Sequence, residues 1–186
     1  TWARSDVSIS NDRGETIFVQ RGVEHPDFWS PTAVKIAASK YFYGDAKIPG
    51  ARENSIRDLI DRVVKTIRSW GEATDHIFAS AKDAQIFEEE LTWLLVHQHG
   101  AFNSPVWFNC GLWHHRRINE GEASGYYFDR KSGKAQRSPG PYHYPQCSAC
   151  FILDIGDDME SILDHAMKEG RLFKFGSGTG TNFSSL

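Results

Sequence analysis

The sequence predicts an α/β fold, in which a mainly helical N-terminal region leads into a strand and a helix near the C-terminal end. Three segments between residues 31 and 98 carry apolar residues at helical spacing. The apolar run 151–153 follows two cysteines and precedes an acidic helix start, which is the order of a strand–helix unit. We therefore divide the chain into a helical region with a short hairpin (1–111), a polar surface excursion (112–146) and a strand–helix part (147–186).

The composition is that of a packed globular chain. Its 186 residues include 40% hydrophobic and 13% aromatic side chains, which is enough for one domain with a core. A formal net charge of -3 gives no electrostatic case for a nucleic-acid or membrane partner, and no apolar run has the length of a membrane span. Three cysteines are an odd number, which argues against a framework of structural disulfides and favours a reducing, cytoplasmic setting.

A β-hairpin is predicted over residues 1–23, because two β-prone runs, VSIS and TIFVQ, flank the turn signal NDRG. A helix is predicted over 31–43. Ser30 offers a capping hydroxyl, and Pro31 suits the first helical position. The apolar face of this helix comprises Val34, Ala37, Ala38 and Tyr41.

Two longer helices are predicted next. The first runs from about Ser55 to Trp70 and places its apolar side chains on one face. These side chains are Ile56, Leu59, Ile60, Val63, Val64 and Ile67. The second begins near Ser80, which forms a capping pair with Asp83, and extends to about Gln98. Its inward positions are Ile86, Phe87, Leu91, Leu94 and Leu95.

The segment between the third helix and the cysteine motif carries few regular signals. Asn103-Ser104-Pro105 predicts an ordinary turn. Residues 112–146 are polar and rich in Gly, Tyr and Pro, which predicts a surface excursion with a small hairpin over 124–136. The histidines of this half lack ligand spacing, so we interpret them as surface or core residues and predict no metal site. They are His97, His99, His114 and His115.

Cys147-Ser148-Ala149-Cys150 is a CxxC motif that the residues alone leave open. The two cysteines could be small buried side chains, since free cysteine is among the most buried residue types. They could be half of a zinc site, although no second CxxC or HxxxH follows at zinc spacing. They could also be a redox pair, although a thioredoxin-like pair sits at a helix N-terminus and Cys150 enters a strand here.

The strand 149–155 is apolar at nearly consecutive positions, which predicts burial on both faces in a parallel sheet. Asp157 and Asp158 open a predicted helix over 157–173, either as a cap with favourable dipole charge or as acceptors for a ribose hydroxyl. Gly176, Gly178 and Gly180 then alternate, which fits neither a P-loop nor a dinucleotide fingerprint. Their backbone N–H groups could bind an anion, or the segment is a plain flexible loop.

Three stretches, FNSPVWFNCG, PQCSACFILDIGDDMESI and FKFGSGTGTNFSSL, together resemble the N-terminal part of the adenosylcobalamin-dependent (class II) ribonucleotide reductases. The resemblance extends over essentially the whole chain through VEHPDFWS, SKYFYG and LTWLLVHQ. The large subunit of class I reductases is similar at a greater distance. The resemblance implies a fragment of a longer enzyme, in which residues 147–186 form the first strand, helix and glycine-rich substrate loop of a ten-stranded α/β barrel.

The resemblance also implies roles for residues near the substrate. Cys150, with Ala149 beside it, matches a redox cysteine that reduces the ribonucleotide and becomes half of a disulfide, whose partner lies outside this chain. Ser177 and Gly178 match the loop that lines the substrate. Ser104 matches a hydroxyl residue near the diphosphate end of the substrate. Cys147 receives no catalytic role.

A second site and several partners are implied in the same way. Asp157 matches the acidic residue that holds the 3′-hydroxyl of a dNTP effector, with Asp158 and Met159 adjoining it. The family implies adenosylcobalamin, bound mostly outside this fragment, a thioredoxin-type reductant and a homodimer. The radical-bearing cysteine is absent, so the fragment alone is expected to be inactive. Whether the substrate is a diphosphate or a triphosphate stays open. The alternative is a non-catalytic nucleotide-binding or redox-scaffold module.

Overall fold

The computed structural model describes residues 1–48, 50–122, 125–174 and 177–186. In chain order, its elements are β1 (Trp2–Ser10), β2 (Thr16–Pro26), α1 (Pro31–Ile36), a π-helical turn (Ala37–Tyr41), α2 (Ile56–Glu72), α3 (Ala81–Val96), α4 (Ser104–Asn109), α5 (Leu112–Arg116), β3 (Tyr126–Asp129), β4 (Lys134–Arg137), β5 (Cys150–Leu153), α6 (Met159–Lys174) and β6 (Gly178–Thr181). None of the described helices has the length and apolar character needed to cross a membrane.

The predicted N-terminal hairpin is confirmed, and it is longer than expected. β1 and β2 pair in antiparallel register from Trp2↔Pro26 to Ser10↔Thr16. The side-chain oxygen of Asn11 accepts hydrogen bonds from the N–H groups of Arg13 and Glu15, both at 3.0 Å. This single asparagine therefore organises the turn that the sequence signals.

The first predicted helix ends early and changes pitch. Ser30 caps α1 by accepting a hydrogen bond from the Ala33 N–H at 3.2 Å, as predicted. The helix continues as the π-helical turn and is followed by extended backbone at Phe42, so the predicted end near residue 43 is wrong by two residues. The guanidinium of Arg52 donates to the carbonyl of Ala38 at 2.7 Å, which competes with regular α-helical pairing there.

Helix α2 is the centre of the core, and its predicted inward face is confirmed. Ser55 caps it, and five of its apolar side chains are buried. The prediction for α3 is partly wrong, because Ile86 and Leu94 are 40% and 42% exposed, whereas Ala84 and Leu95 are buried. Among the described residues, α2 packs against one side of α3. The predicted apolar face of α3 is wider than this contact, so part of that face stays exposed.

The Asn103-Ser104-Pro105 segment is the start of α4, so its interpretation as an ordinary turn is wrong. The side chain of Asn103 caps the helix, and proline occupies its first turn. Gly111, at φ +86°, then allows the chain to reverse into α5. A Cβ at this position would lie 2.3 Å from the carbonyl oxygen of Arg62, so α2 passes too close for any other residue. The small hairpin predicted within the excursion is confirmed as β3 and β4.

The C-terminal part is a β–α–β unit, in which β5 and β6 pair in parallel and α6 connects them. Two predictions need correction. The strand is shorter than 149–155 and is not buried on both faces, because Ile152 is 93% exposed and β6 is the one described strand beside it. The glycine-rich segment is a strand from Gly178 onward, not a loop, while Gly176 lies outside the described residues.

Candidate functional site

The parallel pairing of β5 and β6 brings four predicted substrate residues together. Cys150 pairs with Gly178, and the N–H of Gly178 donates to the carbonyl of Ala149 at 2.7 Å. A Cβ at Gly178 would lie 3.8 Å from the sulfur of Cys150, so glycine leaves the space beside the thiol open. Ser177 is buried directly before this point, and its N–H donates to the carbonyl of Leu172 at 3.1 Å.

The thiol of Cys150 is free and exposed at the first residue of β5. An accessible thiol at the end of a strand can reach a ligand or a second sulfur without any movement of the core. Thiol–disulfide chemistry requires such access, since the attacking or leaving sulfur must approach its partner directly.

Helix α6 fixes β6 through two threonines that lie on the same face of the strand. Thr179 donates to a carboxylate oxygen of Glu169 at 2.6 Å, and the hydroxyl of Thr181 lies 2.6 Å from Nε2 of the buried His165. Since side chains alternate along a strand, Gly178 and Gly180 present bare backbone on the other face. The sequence analysis did not identify His165 and Glu169. Their i,i+4 spacing places them on one face of the predicted helix, and the Gly-Thr repeat that follows offers them hydroxyl partners.

The three residues predicted for the effector lie together at the N-terminus of α6. Asp158 is the cap, because its carboxylate accepts a hydrogen bond from the Ser161 N–H at 2.8 Å. The Ser161 hydroxyl in turn accepts from the Gly156 N–H at 2.7 Å. Asp157 is exposed and has no hydrogen bond or ion pair among the described residues, and Met159 is exposed beside it. The capping role therefore belongs to Asp158, which leaves the Asp157 carboxylate available to a ligand.

The Cys150 thiol and the N-terminus of α6 lie at opposite ends of β5. Cys150 and Asp157 are seven positions apart along β5 and the short segment after it, a reach of at most about 25 Å. Ser104 lies elsewhere, at the first position of α4, where its hydroxyl is 3.1 Å from that of Tyr41. No hydrogen bond between described residues joins Ser104 to Cys150 or Gly178.

The two cysteines of the CxxC motif have different surroundings. Cys150 is exposed, whereas Cys147 packs against the hydrophobic core that contains the buried thiol of Cys110. The interaction with Cys147, together with burial, raises the pKa of Cys110, and the same interaction lowers the pKa of Cys147. Within the described ranges no three His, Cys, Asp or Glu side chains are grouped to hold a metal ion.

An aromatic cavity of about 510 Å³ lies between α2, α5 and the β3–β4 region. His143 stacks on Trp113 with ring centroids 3.7 Å apart, and His114 packs edge-on against Trp70. Burial lowers the pKa of His114, and the nearby charges of Arg117 and His143 add to the effect. A cavity of this volume suits a ligand of ordinary size and is too small to enclose a whole corrin with its nucleotide tail.

Two models of known families match the chain, one over its helical part and one over its β–α–β part. A family model described as the barrel domain of ribonucleotide reductase matches residues 148–186. A second, described as class II vitamin B12-dependent ribonucleotide reductase, matches residues 3–98, which is just over half of the chain. The two matches together define the class of protein as a ribonucleotide reductase. Because the class II model covers more than half of the chain, the chain belongs to the class II, vitamin B12-dependent family.

Individual relatives agree with this assignment. Proteins named vitamin B12-dependent ribonucleotide reductase are 46% identical in Rhodopirellula baltica over 185 residues and 48% identical in Streptomyces avermitilis over 186 residues. Each alignment covers 100% of this chain and 18% or 16% of the relative. A relative in Bradyrhizobium diazoefficiens is 35% identical, covering 96% of this chain. The chain thus spans less than a fifth of the length of these relatives.

Proposed function

We propose that this chain is the N-terminal part of an enzyme that reduces ribonucleotides to deoxyribonucleotides. The observation that carries the proposal is the exposed thiol of Cys150 at the end of β5, against the unobstructed backbone of Gly178. Membership of the class II family supports the same chemistry. In the complete enzyme, β5 and β6 belong to a ten-stranded α/β barrel, with residues 1–111 as its helical flank and 112–146 as a surface excursion.

Cys150 serves as a hydrogen donor to the substrate. The 2′-hydroxyl leaves as water, a hydrogen takes its place on the 2′-carbon, and two thiols become one disulfide. Cys150 supplies one of these thiols, and the other comes from a later part of the protein. A thioredoxin-type reductant then restores both thiols by disulfide exchange, for which the exposed position of Cys150 is suited.

The surroundings of the thiol suit a polyanionic substrate. Gly178 and Gly180 present backbone without side chains, and α6 holds their strand rigid through Thr179 and Thr181. Because the N–H of Gly178 already donates to the carbonyl of Ala149, the proposed contribution of these glycines is space, since residues without side chains let the substrate approach the strand closely. Ala149 and Ser177 border the same space, and Ser104 serves the diphosphate end once the remaining barrel brings α4 close to it.

Asp157, Asp158 and Met159 form the protein side of an effector site for a dNTP. The free carboxylate of Asp157 accepts a hydrogen bond from the 3′-hydroxyl of the sugar, while Asp158 maintains the helix start. The exposed Met159 offers a flexible apolar contact. The position of this site at the far end of β5 is consistent with regulation across a homodimer interface.

Adenosylcobalamin supplies the initial radical when it is bound, and we propose that other segments of the full-length protein hold it. The residues of this chain act on the substrate and the effector, in the cytoplasm. They lack the radical-bearing cysteine, so the chain alone is expected to show no turnover. Both diphosphate and triphosphate substrates are compatible with the backbone of Gly178 and Gly180.

Substitution of Cys150 tests the proposed role in the full-length enzyme. Cys150→Ser is expected to abolish multiple-turnover reduction, because serine cannot form the disulfide that the reductant recycles. Cys147→Ser is the matched control, since it removes a thiol three residues away, and it is expected to leave turnover largely intact under reducing conditions. Deoxyribonucleotide formation with a dithiol reductant is the measurement. Equal loss in the two variants would contradict the assignment of the redox role to Cys150.

A further inference from the structure

Cys110 and Cys147 form a thiol pair that the proposed reductase chemistry does not use. Cys110 is the residue after α4, and its thiol is 1% exposed. Cys147 lies in the irregular segment before β5 and packs against the same hydrophobic core. The side-chain amide of Asn109 donates to the carbonyl of Gln146 at 2.8 Å, so the residues just before the two cysteines are tied together.

The backbone of Cys110 is held in place more firmly than that of Cys147. The N–H of Cys110 donates to the carbonyl of Val106 at 2.9 Å, and its own carbonyl accepts from the buried guanidinium of Arg62 at 2.5 Å. Cys147 has no helix or strand around it, and the described backbone and side-chain hydrogen bonds near it belong to its neighbours. A short irregular segment can adjust so that its sulfur meets the geometry that a disulfide demands.

The two thiols also differ in acidity in a complementary way. The interaction with Cys147, together with burial, raises the pKa of Cys110, which keeps it a neutral thiol. The same interaction lowers the pKa of Cys147, which favours its thiolate. Cys147 is also the more accessible of the two. One member of the pair is thus suited to react with an oxidant first and the other to resolve the product.

We propose that Cys110 and Cys147 are an oxidisable dithiol, separate from Cys150, which forms a reversible disulfide when the protein meets a hydroperoxide. In the first step, the Cys147 thiolate attacks the terminal oxygen of the hydroperoxide, which gives a sulfenic acid at Cys147 and releases hydroxide from hydrogen peroxide or an alkoxide from an organic hydroperoxide. In the second step, the Cys110 sulfur attacks the Cys147 sulfur, and the sulfenic oxygen leaves as water. Two thiols are oxidised and one peroxide is reduced, and a dithiol reductant reverses the change.

Such a bond would join α4 directly to the segment that leads into β5. The interpretation of the CxxC motif changes accordingly, because Cys147 has its partner 37 positions earlier in the chain and not at Cys150. The proposal does not depend on ribonucleotide reduction, since it concerns two thiols at the same part of the hydrophobic core.

Peptide mapping of the full-length protein tests the pair, and the Cys150→Ser background removes the neighbouring thiol. After hydrogen peroxide treatment, alkylation of free thiols and tryptic digestion, peptide 83–116 should be linked to peptide 138–168 through Cys110 and Cys147. Alkylation of both cysteines should be lost after oxidation and recovered after treatment with a dithiol. In the same background, Cys147→Ser and Cys110→Ala should each eliminate the linked peptide.

Peptide mapping of the protein that keeps both Cys110 and Cys147 tests the proposed disulfide even if Cys110→Ala fails to fold, because this mapping needs no substitution at either sulfur of the pair. Three outcomes would overturn the proposal. Both cysteines could stay fully alkylated at a peroxide concentration that oxidises other thiols of the protein. Cys147 could be overoxidised to a sulfinic acid while Cys110 stays free. Cys147 could instead be linked to a cysteine other than Cys110.

Discussion

Replacement of Arg62 by methionine is expected to destabilise this chain more than any surface substitution. Arg62 lies on α2 with its side chain fully buried, and its Nε donates to a carboxylate oxygen of the equally buried Glu53 at 2.8 Å. The same guanidinium donates to the carbonyls of Cys110 at 2.5 Å and Trp107 at 2.7 Å. The Arg62 side chain therefore donates hydrogen bonds to the carbonyls at the end of α4 and also balances the charge of Glu53.

The size of the expected loss in stability follows from the surroundings of Glu53 after the Arg62→Met substitution. Methionine fills much of the volume, but among the described residues the buried charge of Glu53 keeps only the N–H of Tyr43 and the guanidinium of Arg116 as partners. Removal of one member of a buried ion pair costs about 3–5 kcal/mol. For a chain of this size, that loss corresponds to a decrease in Tm of about 6–20 °C.

Thermal unfolding of the 186-residue chain, followed by tryptophan fluorescence, measures this decrease, since Trp107 is part of the core. Lys65→Met is the matched control, because Lys65 lies three positions further along the same helix and pairs with Asp61 at the surface. Such an exposed pair contributes about 0.3–0.5 kcal/mol to stability, so the Tm of the control should stay close to that of the parent chain. If Arg62→Met unfolded with the control, the buried pair would not stabilise the fold as described.

The two aspartates before α6 are predicted to have separable roles. Asp158→Ala removes the cap of α6, which should weaken the helix by about 0.5–2 kcal/mol and raise amide exchange in its first turn, and unchanged protection there would contradict the capping role. Asp157→Ala should instead weaken binding of a dNTP effector to the full-length enzyme in titration calorimetry, while the protection of α6 stays as it was. An unaltered effector affinity would make Asp157 an ordinary surface charge.

Elements with local signals were predictable from the sequence. The NDRG turn, the capping serines Ser30, Ser55 and Ser80, and the apolar stripe of α2 each depend on residues within a few positions of one another. The family resemblance was confirmed because it depends on several such stretches in order. The same local logic placed Cys150 at the start of a strand.

Features that depend on tertiary contacts were not predictable in this way. The helix at 104–109 is too short to show a period, and it is held by the contact of Arg62 with its C-terminal end. The glycines of 178–181 read as a loop, because their pairing partner is β5, 28 residues earlier in the chain. Cys110 and Cys147 come near each other only when α4 meets the segment before β5, where the side chain of Asn109 donates to the carbonyl of Gln146.

The last prediction concerns uneven stability within the 186-residue chain. Among the residues that the structure describes, β5 and β6 form a two-stranded sheet, and Ile152 on β5 is 93% exposed. Isolated two-stranded sheets are marginally stable in water, whereas α2 packs on α3 and on β2 of the hairpin. Amide exchange read by mass spectrometry should therefore be slow in α2 and α3 and fast in 149–155 and 177–186.

The outer edge of β5 should also make the isolated chain self-associate with rising concentration, since an unpaired and apolar strand edge accepts another strand. Sedimentation velocity across a concentration series measures this, and Ile152→Lys is the matched variant, because a charge at the exposed position should suppress the association without a change in the core. Uniformly slow exchange through 149–186 in a chain that stays monomeric would contradict the prediction. It would mean that two strands and α6 are stable without the further barrel strands proposed above.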